Sequence, residues 1–293
     1  MDRNDTSDLG VVAMARLLQS CDDDNDSRNG LKIRQEVKDA FSAEVDFNAA
    51  DLDAYAVEAN LTLVDEALAV EHLTQTTELV EAVNDATIPQ VIKDALLTPS
   101  SALTQDLKDA LAYMGNEERL AYDVYNKLYE SSPSVNQLSN IASKSEIVHI
   151  ESVQLLVRKY IANSSEFTNT DLNDLEYKDV LVADMTPGVY DISRIQDLYD
   201  ALVAKGQASD IDALEVGCMV EVTDINDLDD YIALSEDANA TDVTSVFTSL
   251  RNGSYSHYWA FDKGLANHGV ANGCCSLGVV DGVDYCQPLY PQK

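Results

Sequence analysis

The sequence predicts an all-α protein whose main domain is a bundle of four long helices, and three observations carry that prediction. Apolar residues recur at helical spacing through four stretches between residues 102 and 266. Few segments alternate in the manner of a strand. The four stretches also share out a set of candidate metal ligands: Glu118 on the first, Glu146 and His149 on the second, Glu221 and Asp224 on the third, His257 on the fourth. Four carboxylates and two imidazoles are the ligand count of a carboxylate-bridged dinuclear iron or manganese site built inside a helical bundle.

Residues 1–30 read as a flexible acidic segment or a lipoprotein-like leader. Leu18-Gln-Ser-Cys21, followed by Asp22-Asp-Asp-Asn-Asp26, has the form of a lipoprotein cleavage box. Against it, the apolar stretch before Cys21 is short, contains Arg16, and lacks a positive flank. A calcium loop ending in Gly30 would put Lys32 at the usual apolar position, which favours a solvated tether. Residues 31–99 form a helical N-terminal region, with Leu61, Val64, Leu68, Leu73, Leu79 and Val83 in helical register, a break at Pro89 and a cap at Thr98-Pro-Ser100. His72 has no acidic residue three positions before it and reads as an ordinary histidine.

The main domain spans residues 100–267. Its first helix runs from Ala102 to about Glu130, with Leu107, Leu111, Met114, Leu120, Val124 and Leu128 as its apolar stripe. Pro133 forces a turn, and a second helix follows from Val135 to about Ala162. A short connection between two long helices makes them an antiparallel pair. Pro187-Gly188 and a helix over Ile192–Lys205 form a longer linker, and helices at about Ser209–Ala233 and Ala240–Ala266 complete the set.

The tail, residues 268–293, is rich in glycine and holds Cys274, Cys275 and Cys286. One disulfide among them, a zinc site completed by His268, and free thiols are three readings; the spacing fits no usual pair of Cys knuckles. Cys218 reads as a small buried apolar residue. The core is expected not to need the tail. A Cys-rich tail and the Cys21 box together point to a bacterial cell envelope, periplasmic or lipid-anchored, over the cytoplasm.

Charge narrows the function classes. The chain has 293 residues, 52 acidic against 19 basic, and a formal net charge of −33. Nucleic acid phosphates and anionic lipid are therefore not partners, while divalent cations are favoured. No run of 18 apolar residues occurs, so no transmembrane span is expected. Most of the carboxylates form a solvated coat, and roughly 0.7 acidic residues are expected by chance three positions before one of the four histidines. The pair Glu146-Ile-Val-His149 therefore gains its weight only from the candidate ligands on the other helices.

Residues 100 to about 265 resemble the ferritin-like family catalogued as domain of unknown function 2202, a relative of the rubrerythrins. The matching stretches are Tyr113-Met-Gly-Asn-Glu-Glu-Arg-Leu-Ala-Tyr-Asp-Val-Tyr125, Ile141-Ala-Ser-Lys-Ser-Glu-Ile-Val-His149, Gly188-Val-Tyr190, Ile195-Gln-Asp-Leu-Tyr-Asp-Ala-Leu-Val203, Asp212-Ala-Leu-Glu-Val-Gly217 with Val220-Glu-Val-Thr-Asp-Ile-Asn-Asp-Leu228, and Gly253-Ser-Tyr-Ser-His-Tyr-Trp-Ala-Phe261. The resemblance implies a ferritin-like four-helix bundle with a non-haem di-iron centre. It selects Glu118, with Ala121 and Tyr125 following, over Glu117, which should point about 100° away and matter little. It makes Glu146 a bridge between the metals and matches Glu221 to the third-helix carboxylate. The sequence departs from the wider superfamily at Ser254, where a second glutamate precedes the fourth-helix histidine. Asp224 is the residue able to replace it.

The expected function is rubrerythrin-like reduction of peroxide or dioxygen by an oxidoreductase holding two Fe ions, with Mn or Zn as substitutes. Expected partners are the metal ions, the oxidant and a separate electron donor, since the sequence lacks the paired Cys-x-x-Cys knuckles of a rubredoxin module; a homodimer is compatible. The alternative is a non-catalytic metal-binding or cell-envelope interaction module.

Overall fold

Side-chain caps at Thr104 and Ser209 set the starts of two long helices. The computed structural model describes residues 77–161, 180–190, 192–280 and 282–292. The described residues from Leu79 onward belong to one compact unit. The expectations for residues 1–30, Cys21, His72 and most of the 31–99 region lie outside the described residues.

Residues 79–85 are helical, and α1 (Gln90–Leu96) starts at Pro89, whose carbonyl accepts from the Ile92 and Lys93 amides. Helix α2 (Gln105–Ser131) begins three residues later than its periodicity indicates, because Thr104 accepts a hydrogen bond from the Leu107 amide at 3.3 Å and fixes the N-terminus. The second stretch is not one regular α-helix. It consists of α3 (Asn136–Ile141), a π-helical turn over Ala142–Glu146, and α4 (Ile147–Tyr160). Helix α5 (Ser193–Gly206) is the linker helix. Helix α6 (Asp210–Asp237) is capped by Ser209, with Asp210 and Asp212 set against the positive end of its dipole.

The turn into α7 (Thr241–Asn267) is a Schellman motif. Asn239 has φ of 54°, its amide donates to Glu236 O, and that of Ala240 donates to Ser235 O at 2.8 Å. This tight turn folds α7 back antiparallel on α6, the most extensive packing among the described elements. Gly217 permits the close approach: a Cβ there would lie 2.4 Å from the Phe261 ring. Helix α2 lies against α4, α5 and α6, and α1 against α7. Leu107, Leu111 and Met114 of α2, Val153 and Leu156 of α4, Leu228 of α6, Phe247 and Leu250 of α7, and Ile92 and Leu96 of α1 share one buried core. Each such side chain contributes about 2 kcal/mol over its exposed state. The all-α expectation holds, apart from a two-stranded antiparallel hairpin, β1 (Val279–Val280) with β2 (Val283–Asp284).

Two polar clusters tie connecting segments to this core. Arg119 of α2 donates to Thr186 O and Val189 O, while Asp123 accepts from the Gly188 amide and the Tyr190 hydroxyl. The Gly188-Val-Tyr190 stretch is thereby fastened to α2, with Gly188 at φ +68°. At the far end, Lys159 pairs with Asp242 at 2.6 Å, both almost wholly buried, and the Tyr160 hydroxyl donates to the same carboxylate.

The tail meets the disulfide reading in the bond between Cys275 and Cys286, and departs from expectation elsewhere. Cys218 is not a free buried thiol: it is bonded to Cys274, and Cys275 is bonded to Cys286. The zinc reading falls with this, and His268 instead meets Gly264 O and Asp210. Nor is the tail dispensable to the core, since Cys274 and Tyr285 are fully buried and the Tyr258 hydroxyl donates to Tyr285 O. A bridge across 56 residues depends on the tail folding back over α7, which local spacing does not encode.

Two outcomes are expected. Burial alone would raise the Asp242 pKa, but Lys159 and Tyr160 hold it below the usual value. Its stabilising contribution is then complete above about pH 4, the unfolded value, and is lost as pH falls through the lower folded one. Urea denaturation should show Asp242→Asn less stable than wild type by about 3 kcal/mol at pH 7, with the gap closing below about pH 4. Peptide mapping without reductant should recover the pairs Cys218–Cys274 and Cys275–Cys286; any other pairing contradicts the fold of the tail.

Candidate metal centre

Five of the six candidate ligands converge where α2, the π-helical turn with α4, α6 and α7 meet. Two groups of donor atoms close enough to share an ion overlap at one residue: Glu118, Glu146 and His149 form the first, Glu146, Glu221 and His257 the second, all buried. Glu146 is the hinge. Its Oε2 lies 3.2 Å from His149 Nδ1 and its Oε1 lies 3.2 Å from His257 Nδ1. Glu118 Oε2 completes the first group at 3.1 Å from His149 Nδ1, and Glu221 Oε2 the second at 3.3 Å from His257 Nδ1. The imidazole rings lie 5.5 Å apart, 32° from parallel.

Both histidines present Nδ1 inward, and a neighbouring residue holds the Nε2 edge of each. The Nε2 edge of His149 rests on α7 at Gly253, where a Cβ would come within 2.6 Å. His257 Nε2 lies 2.7 Å from Ser145 Oγ. Ser145 belongs to the π-helical turn, whose extra residue brings Ser145 and Glu146 to the same centre; such turns concentrate at functional sites.

The sixth residue, Asp224, is buried beside this centre but belongs to neither group. Its Oδ2 accepts from Ser254 Oγ at 2.6 Å. Ser254 thus holds the aspartate across the helix pair. Tyr125, open in the sequence between core aromatic and hydrogen-bond donor, is both: its ring packs on Phe261 at 5.2 Å and its hydroxyl donates to Glu221 Oε1 at 2.5 Å.

Burial dominates the electrostatics. It pushes Glu118 up to about 7 despite the opposing pull of His149, and it raises Glu221 although His257 counteracts it. Burial, then the charges of Glu118 and Glu221, push Asp224 well above the usual carboxylate range. Glu146 is the exception: burial would raise it, but His257 and His149 together hold it well below. Burial alone would lower the histidines. Glu118 and Glu146 instead hold His149 well above its ordinary value, and Glu221 and Glu146 take His257 to about 10. With two protonated imidazoles the four carboxylates would still be in excess, and Glu118 Oε1 is buried without a hydrogen-bond partner. Two divalent ions on neutral imidazoles would balance the four carboxylates.

The sequence reading missed Ser145, because a π-turn has no local signature, and Gly253, because its role lies across a helix interface. Glu117 belongs to neither ligand group and instead meets Asp227 of α6.

Comparison with known proteins places these residues in a matched region. The family described as "Uncharacterized protein domain (DUF2202)" matches residues 107–278, which hold all six candidate ligands. The uncharacterized protein MJ0754 of Methanocaldococcus jannaschii is 33% identical over 171 residues, covering 58% of this chain and 81% of that protein. The crystal structure of the hypothetical protein MJ0754 from Methanococcus jannaschii DSM 2661 aligns with 59% of this chain and 86% of its own, at 31% identity and a TM-score of 0.49.

Replacing glycine by alanine inside a helix ordinarily stabilises by up to about 1 kcal/mol. Gly253→Ala should do the reverse, by about 1–3 kcal/mol, because the new methyl displaces the buried His149 ring from Glu118 and Glu146. Thermal unfolding of the metal-free protein measures the sign; a stabilised variant would mean that His149 is not pinned.

Proposed function

The chain belongs to the DUF2202 family of uncharacterized domains, and from that footing we propose that it is a dinuclear non-haem metal protein of the ferritin-like, rubrerythrin-related class. Iron is the metal, with manganese as the substitute, and the activity is reduction of peroxide or dioxygen. The observation that carries this reading is Glu146, whose two oxygens face two different histidines in two overlapping ligand groups. A carboxylate so placed is a ready bridge between two ions.

The residues fit such a pair of ions in donor type and in charge. Glu118 and His149 would hold one ion, Glu221 and His257 the other, and Asp224 would stand by as a further carboxylate. The orphaned Glu118 Oε1 is the kind of buried atom that an ion satisfies. When bound, two ferrous ions would supply the two electrons that reduce a peroxide to water.

The chain's own groups set the geometry. Ser145 holds the rotation of His257 so that Nδ1 faces the centre. Tyr125 orients Glu221 and keeps an O–H at the edge of the site, while Ser254 orients Asp224. Apolar neighbours such as Phe261, Ile150 and Val222, all fully buried, exclude bulk water. The excess of buried acid over base supports a divalent partner, because unpaired buried carboxylates cost several kcal/mol each. The two disulfides favour an oxidising compartment for this activity.

Elemental analysis of protein purified without added metal, followed by absorbance after peroxide is added to the ferrous-loaded form, tests the reading. The expected result is two ions per chain and oxidation within the mixing time. Ion uptake at pH 7 should release protons, because His149 and His257 must lose theirs, and affinity should keep rising with pH up to about 10, where His257 loses its proton. Ser145→Ala should weaken one of the two ions by roughly 10–100-fold. Equal metal content in wild type and the His149→Ala/His257→Ala double variant would sink the proposal, and ions bound without oxidation would leave a passive binder.

A further inference from the structure

The two disulfides differ in the property that governs their reaction with a thiol, which is access. Cys218 of α6 and Cys274, in the 3-10 turn Gly273–Ser276, are both fully buried. Cys275 and Cys286 are each only half-buried, and their bond closes 11 residues around the β1–β2 hairpin rather than 56. A thiolate must reach one sulfur of a bond to displace the other, so the outer bond, Cys275–Cys286, is open to attack and the inner bond, Cys218–Cys274, is not. Both bonds are tied to Tyr258, the residue after His257. Cys274 Sγ lies 3.8 Å from Tyr258 O. Cys286 sits between Tyr285, whose carbonyl accepts from the Tyr258 hydroxyl, and Gln287, whose amide donates to that hydroxyl. Opening the outer bond therefore removes the covalent hold on the segment that packs against Tyr258, beside which the inner bond lies.

We propose that the two disulfides form an ordered redox switch on the Glu221–His257 side of the centre, operated by an external dithiol. A thiolate of the donor attacks one sulfur of Cys275–Cys286 and expels the other as a thiolate. The donor's second thiol then displaces the protein from the mixed disulfide. The donor ends as its own disulfide and both cysteines end as thiols, two electrons and two protons having passed to the protein. A second equivalent of dithiol repeats the exchange at Cys218–Cys274 once the tail has moved. Cys218 stands one turn before Glu221, so loss of the inner bond parts α6, at that ligand, from the segment that follows α7. Closed bonds hold Glu221 and His257 in register, and open bonds loosen them. The effect on metal rests on the dinuclear reading; the order of opening does not.

Dithiothreitol is the probe, added to the metal-free full chain, with samples quenched in acid, alkylated and mapped by peptide mass. Trp259 is the only tryptophan of the chain and donates to Tyr290 O and Pro291 O, so its fluorescence follows release of the tail. Label should reach Cys275 and Cys286 first, together with the fluorescence change, and reach Cys218 and Cys274 more than about 10-fold more slowly. Cys275→Ser/Cys286→Ser should speed opening of the inner bond by about 10-fold. Hydrogen exchange of the amides around Glu221 and His257 should rise when the inner bond opens and not before. Bound metal, where present, should then be held about 10-fold more weakly at one of its two positions. Labelling order and hydrogen exchange are read on metal-free wild type, so a variant that fails to fold leaves the test standing, and failure of the dinuclear reading alone would leave both results intact. Cys218 and Cys274 labelled as early as Cys275 and Cys286, or unchanged exchange around Glu221 and His257 after both bonds have opened, would overturn the switch.

Discussion

Carboxylates in an apolar helical interior set the terms for this structure. Two like charges 4 Å apart repel by about 4 kcal/mol at an effective dielectric of 20, and each also loses its hydration. Glu118, Glu146, Glu221 and Asp224 are all buried between the same helices, so every neighbouring polar group is drawn into compensating them. Glu146 takes both histidines, Glu221 takes Tyr125, and Asp224 takes Ser254. The compensation stops short at Glu118 Oε1. Where the protein's own donors run out is where cations are proposed.

Small backbone features then control the chemistry at a distance. Gly217 admits the Phe261 ring between α6 and α7, Phe261 packs on Tyr125, and Tyr125 donates to Glu221. A methyl group at position 217 would therefore act on a ligand that it does not touch. Gly253 does the same for His149 by direct contact. The π-helical turn serves the opposite end of the site, because one extra residue in the turn brings both Ser145 and Glu146 to His257.

The tail braces the same two ligand-bearing helices. Cys218, one turn before Glu221 on α6, is bonded to Cys274, and Cys274 accepts no ordinary place in solvent: its amide donates to Asp262 of α7 at 2.9 Å. Tyr258, which follows His257, donates to Tyr285 O and accepts from the Gln287 amide, while Trp259 donates to the carbonyl of Pro291. These contacts fix α6 and α7 close to Glu221 and His257. A segment that reads as an appendage in the sequence is therefore part of what holds the site in register.

The sequence by itself determined the helical class, the approximate span of each long helix and the inventory of candidate ligands. Those properties are local: 3.6-residue periodicity, capping residues such as Thr104 and Ser209, and the i, i+3 spacing of Glu146 and His149 are written within a few residues of one another. Tertiary structure alone decided which of those ligands share a centre, since the same periodic stripe is compatible with several helix rotations. It turned Glu117 toward Asp227, set Asp224 against Ser254 outside both ligand groups, and broke the second helix with a π-turn. It also paired Cys218 with Cys274 across 56 residues. Each of these depends on how close two helices approach and on what lies between them, and that distance is fixed by residues far apart in the chain.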